Sequence, residues 1–182
     1  MPSDRLKGGT VVKIGGESGG LTAELAAQVI DKNSGSGRLV LAEAEPSLLD
    51  FARFMGRYDK SFSYAELRRC GLTEGINEPN LKAGEADLVC LFDSHYFYDK
   101  FNEAISEQEK FKRGSEYLVK IKNGMKKNGL LLICDSESFT CPAERVRQMA
   151  EAAGLKAEIK SENLDNAVNP RDIKFLVICR NN

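Results

Sequence analysis

Short runs of unbroken apolar residues constrain this chain most. They are Leu39–Ala42, the LVCLF of Asp87–Phe92, Leu130–Cys134 (LLLIC) and Phe175–Cys179 (FLVIC). Apolar runs of this length without alternation suit strands buried on both faces. Stretches with apolar residues at helical spacing separate most of them. Strand and helix therefore alternate from residue 11 to about 154, which predicts a mostly parallel sheet with helices on both faces.

Val11–Ile14, broken by Lys13, reads as the first strand, after a loose lead-in over residues 1–10. Leu21, Leu25 and Val29 predict a helix over Leu21–Lys32, and Asn33–Gly37 (NSGSG) turns the chain into Leu39–Ala42. Pro46 opens a second helix, with Leu48, Phe51, Ala52 and Met55 predicted inward. Ser61–Leu67 is the weakest strand, and residues 71–86 read as loop with one helical turn. A long helix is expected over Asn102–Lys127, with Leu118, Ile121 and Met125 inward and Asn128-Gly129 as its stop. Thr140 and Pro142 start the next helix, with Val146, Met149, Ala150 and Ala153 inward, and Gly154 ends it. Leu155, Ala157 and Ile159 alternate with charged residues, as on an edge strand. Only a polar loop separates that strand from Phe175–Cys179, so the last strand should run antiparallel.

The first strand leads into Gly15, Gly16, Glu17, Ser18, Gly19 and Gly20. A strand, a glycine turn and a helix start form a cradle for a nucleotide-like ligand, although the same parts also make a plain tight turn. The Glu17 carboxylate opposes a pyrophosphate, which disfavours a dinucleotide. Glu43 stands 24 residues after Gly19, near the ~20 expected for an acid that holds a ribose diol. Glu45 is a rival whose charge also suits the following helix start.

The 182 residues suit a single domain, 1–182, with a substantial core. Formal net charge is −1, which argues against nucleic-acid binding by bulk charge. The lysine-rich stretch Lys110–Lys127 is interleaved with glutamates and reads as a solvated helix face. Five cysteines without a CxxC pair, and a single histidine, predict reduced buried thiols and no metal site, as in a cytoplasmic protein. The N-terminus lacks the apolar core of a signal peptide, and no apolar run approaches the ~20 residues of a membrane span.

The glycine loop, the acid at the second strand end, GEADLVCLFD, MKKNGLLLIC and a closing strand pair together resemble the class I S-adenosylmethionine-dependent methyltransferases. The resemblance runs from about Val11 to Arg180. It implies a three-layer Rossmann-like α/β fold, with a mostly parallel seven-stranded sheet and an antiparallel last strand. It implies S-adenosylmethionine as cofactor, contacted by Gly15, Gly16, Glu17, Gly19, Glu43 and Phe92. Asp93 and His95, beyond the fourth strand, fall where a general base would sit, although a histidine among aromatics also serves as a packing residue. Asp135 and Ser136 either line the pocket or start a loop. The methyl acceptor is not implied. Neither a membrane nor a nucleic acid is expected as partner, and a protein partner stays open.

Two positions depart from the family pattern. Lys13 stands where an acid is usual, and Glu17 where the middle glycine is usual. Lys13 can pair with Glu17, attract a ligand carboxylate, or bury its stem and carry its amine out to solvent. These departures motivate a second reading, a non-catalytic methyltransferase-like module that binds another protein. A nicotinamide-dependent oxidoreductase is the third, opposed by Glu17 and by the lack of room for a substrate domain.

Overall fold

The computed structural model describes residues 7–15, 29, 36–43, 46–57, 65–73, 76–78, 80–92, 105–135, 142–160 and 175–182. Its strands are β1 (Thr10–Ile14), β2 (Arg38–Glu43), β3 (Ala65–Arg69), β4 (Gly71–Thr73), β5 (Ile76–Glu78), β6 (Ala86–Phe92), β7 (Met125–Asp135), β8 (Lys156–Lys160) and β9 (Phe175–Arg180). Three helices are described, α1 (Pro46–Met55), α2 (Glu107–Gly124) and α3 (Ala143–Ala152). Seven strands form one sheet in the order β3-β2-β1-β6-β7-β9-β8. The first five pair parallel, and β9 inserts antiparallel between β7 and β8. This is the predicted sheet.

The apolar runs are buried on both faces, as their lack of alternation requires. Val12, Ile14, Val40, Val89, Leu131, Ile133 and Val177 meet Tyr117, Leu118 and Ile121 of α2 and Val146, Met149 and Ala150 of α3. On the opposite face Val11, Leu39, Leu41, Leu88 and Cys90 pack with Val29, and Ala52 of α1 lies against them. Val29 is helical, while the rest of the Leu21–Lys32 expectation lies outside the described residues. Its carbonyl sits 2.3 Å from where a Cβ on Gly37 would stand, and Gly37 has φ 102°, so only glycine fits there.

Several sequence expectations are corrected. Leu49 is the buried residue of α1, while Phe51 and Phe54 are each 49% exposed. The inward stripe is set by Leu49 and Ala52, three apart on one face. The lead-in ends sooner than expected: the Gly8 amide donates to the Val29 carbonyl, and Thr10 already belongs to β1. The third strand is shifted to Ala65–Arg69. Residues expected as loop with a helical turn contain a hairpin, with Gly71 opposite Glu78 and Thr73 opposite Ile76. Two residues, Glu74-Gly75, separate its strands in sequence, which is a hairpin spacing.

The long helix starts after Ser106, whose hydroxyl accepts from the Glu109 amide, a normal N-cap. It ends at Gly124, so Met125, Lys126 and Lys127 are extended rather than helical. The ladder between β6 and β7 jumps from Ala86–Met125 to Leu88–Leu130, and Asn128 adopts φ 63° in that irregular stretch. The Asn181 amide donates to the carbonyls of Lys122, Met125 and Lys126 there. The last helix is flanked by Pro142; Thr140 lies outside the described residues. Gly154 closes it with φ 78°, and β8 lies at the sheet edge as expected.

Among the described residues, the crossover from β3 to β6 carries the hairpin and no helix. An ion-pair cluster bridges its ends. Arg68 on β3 forks onto Glu85, with both nitrogens 2.8 Å from the two carboxylate oxygens. Arg68 also pairs with Glu66, and Arg38 of β2 pairs with Glu66 and Glu85. The Glu85 side chain is 4% exposed. The Arg68 guanidinium holds its carboxyl down to about 2, and the Lys82 amide assists.

Candidate functional site

The strand register brings candidate residues to one row at the C-terminal edge of the sheet. Ile14 pairs with Ala42 on β2 and with Leu91 on β6. The next residues, Glu43, Gly15 and Phe92, therefore stand level across three adjacent strands. Arg69 extends the row, opposite Glu43 on β3, and Cys134 extends it opposite Phe92 on β7. Gly15 leaves β1 with φ 65°, a left-handed turn that strains any residue with a Cβ. Its amide donates to the Ala42 carbonyl at 3.0 Å, so that N–H ties the turn to β2.

Glu43 is half-buried at the end of β2. Alternation places it on the sheet face of Leu39 and Leu41. Its carbonyl accepts from the Cys70 amide at 2.9 Å, which anchors the strand end. Burial pushes the Cys70 thiol up, and the nearby Glu43 charge adds to that.

Lys13 is 3% exposed. It pairs in register with Leu41 and Cys90. A side chain buried to this degree does not carry its amine out to solvent, which removes that reading of Lys13. Among the described residues no buried side-chain nitrogen or oxygen lacks a hydrogen-bond partner. Gly16, Glu17, Gly19, Asp93, His95 and Ser136 lie outside the described residues, so the proposed Lys13–Glu17 pair does too.

Arg69 was missed from sequence because the third strand was placed to end at Leu67, short of the edge. Its position beside the acid becomes visible only once the β2–β3 register is known. Groups of three or more His, Cys, Asp or Glu suited to a metal ion are absent among the described residues. No described helix is long and apolar enough to cross a membrane. In the Lys110–Lys127 stretch, Lys110 pairs with Glu107 and Arg113 with Glu109 on the helix surface, as a solvated face would.

Solved structures share this architecture. A TehB-like SAM-dependent methyltransferase from Corynebacterium glutamicum superposes with TM-score 0.63 at 15% identity, over 95% of this chain and 80% of that one. A SAM-dependent methyltransferase from Aquifex aeolicus gives 0.66 at 16% identity, over 96% and 82%. The fold is that of the class I methyltransferases. The trans-methyltransferase CalH, solved in complex with SAH, also superposes, with TM-score 0.62 at 15% identity, over 98% of this chain and 54% of that one. No protein-family model matches the sequence, and no curated protein does. In the methyltransferase fold the observed row lies at the carboxyl ends of the central strands. There β1 and β6 adjoin and the strand order reverses, which is where open α/β sheets take ligands.

Proposed function

We propose that this chain binds S-adenosylmethionine at the β1–β2 edge and transfers its methyl group to an acceptor. The observation that supports this most is the row formed by Glu43, Gly15 and Phe92. In this reading Glu43 accepts hydrogen bonds from both ribose hydroxyls, a charge-assisted pair. Gly15 starts the loop Gly16–Gly19 that wraps the amino-acid end, and Phe92 borders the adenosine. The bound cofactor supplies an electrophilic methyl on a sulfonium. The protein's task is alignment of an acceptor with that methyl, and alignment alone supplies a large share of such a rate. Asp93 and His95 follow β6 directly in sequence and are the candidate bases for an acceptor that must lose a proton.

The buried Lys13 favours a second reading, a methyltransferase-like module without catalysis that binds a protein. Isothermal calorimetry with S-adenosylmethionine and S-adenosylhomocysteine separates the two. The methyltransferase reading expects binding of both ligands. Absence of heat with either at high micromolar concentration overturns it and leaves the module.

A further inference from the structure

Lys13 is the one fully buried cation among the described residues. Its register partners are Leu41 on β2 and Cys90 on β6, so it sits at the boundary where the strand order reverses. Its partners belong to the apolar cluster that also holds Leu39 and Val11, and Glu43 lies on the same face two residues beyond Leu41. Gly15 follows two residues after Lys13. A parallel strand rises about 3.3 Å per residue, so the four-carbon stem of a lysine spans roughly the distance to the row. An ammonium kept this deep is costly to bury and is retained against that cost.

The amino-acid end of S-adenosylmethionine carries an amine and a carboxylate on the same carbon. Rotation about one bond exchanges which of them faces the end of β1. A cation there disfavours the amine and favours the carboxylate. We propose that Lys13 is a specificity-determining residue that receives the ligand's carboxylate and selects ligands carrying one. This rests on the cofactor reading above. It adds the polarity of the bound amino-acid end and a rule for which adenosyl thioethers bind.

The test is calorimetry with three neutral-sulfur probes. S-adenosylhomocysteine has both amine and carboxylate, S-adenosyl-3-thiopropylamine has the amine alone, and 5′-methylthioadenosine has neither. The wild type should bind S-adenosylhomocysteine roughly 10- to 100-fold more tightly than S-adenosyl-3-thiopropylamine, the span of one charge-assisted contact. Lys13→Met should bring the two within about threefold, chiefly by weakening S-adenosylhomocysteine, with 5′-methylthioadenosine unchanged. Lys13→Gln provides a second neutral side chain should the methionine variant fail to fold, and thermal melts check both. Equal weakening of all three probes, or no change, overturns the carboxylate role alone. Failure of the wild type to bind any of the three overturns the cofactor reading and this inference with it.

Discussion

At the scale of single residues, chemistry is concentrated where charge is buried. Lys13 and Glu85 are the two charged residues almost fully withdrawn from water among those described. Glu85 is satisfied by the Arg68 fork, by Arg38 and by the Lys82 amide. Its carboxyl is held near 2, below the ordinary 4.5. A depressed carboxyl stabilises the fold above its unfolded value and loses that contribution as pH falls from about 4.5 towards 2. Glu85→Gln should therefore cost about 2–3 kcal/mol at pH 7 and flatten the loss of stability between pH 4.5 and 2. Urea unfolding of both proteins at pH 7 and pH 3 checks this; equal pH slopes would show that Glu85 carries no such linkage. The pair was invisible in the sequence, because Glu66, Arg68 and Glu85 meet only through the β3–β6 crossover. By contrast, Gly15 and Glu43 were legible, since a glycine turn after a strand and an acid at the next strand end are local signals.

Among elements, the apolar strands were the easiest to read. Unbroken runs such as LLLIC have no other economical use than a strand covered on both faces. The alternating Leu155–Ile159 segment was legible as an edge strand for the converse reason. Helix α1 was misread because two overlapping stripes compete in PSLLDFARFM. Leu48, Phe51 and Met55 form one helical stripe, and Leu49 and Ala52 another; packing against Leu39 and Leu41 chose the second. Leu49→Ala should cost about 2–4 kcal/mol, whereas Phe51→Ser should stay within about 0.5 kcal/mol. Equal losses in thermal unfolding would restore the first stripe. The β4–β5 hairpin was misread because three-residue strands carry too few residues to show a period. Helix α2 was drawn three residues too long, since Met125 is buried in either conformation.

For the molecule as a whole, the order β3-β2-β1-β6-β7-β9-β8 follows from alternation and from the short loop before the last strand. The order of motifs along the chain carried the family resemblance, although none of them was specific alone. The superpositions at 15–16% identity carry the fold and stop there. What the fold adds is the row: parallel register turns three residues far apart in sequence into neighbours at one edge. The central claim is that this edge holds an adenosyl ligand through Glu43. Calorimetric titration of S-adenosylhomocysteine into the wild type and into Glu43→Ala tests it most directly. The account predicts saturable binding by the wild type and a loss of roughly 10-fold or more in the variant, the worth of a charge-assisted hydrogen bond. Equal affinity in the two proteins, or no binding by the wild type, would contradict it.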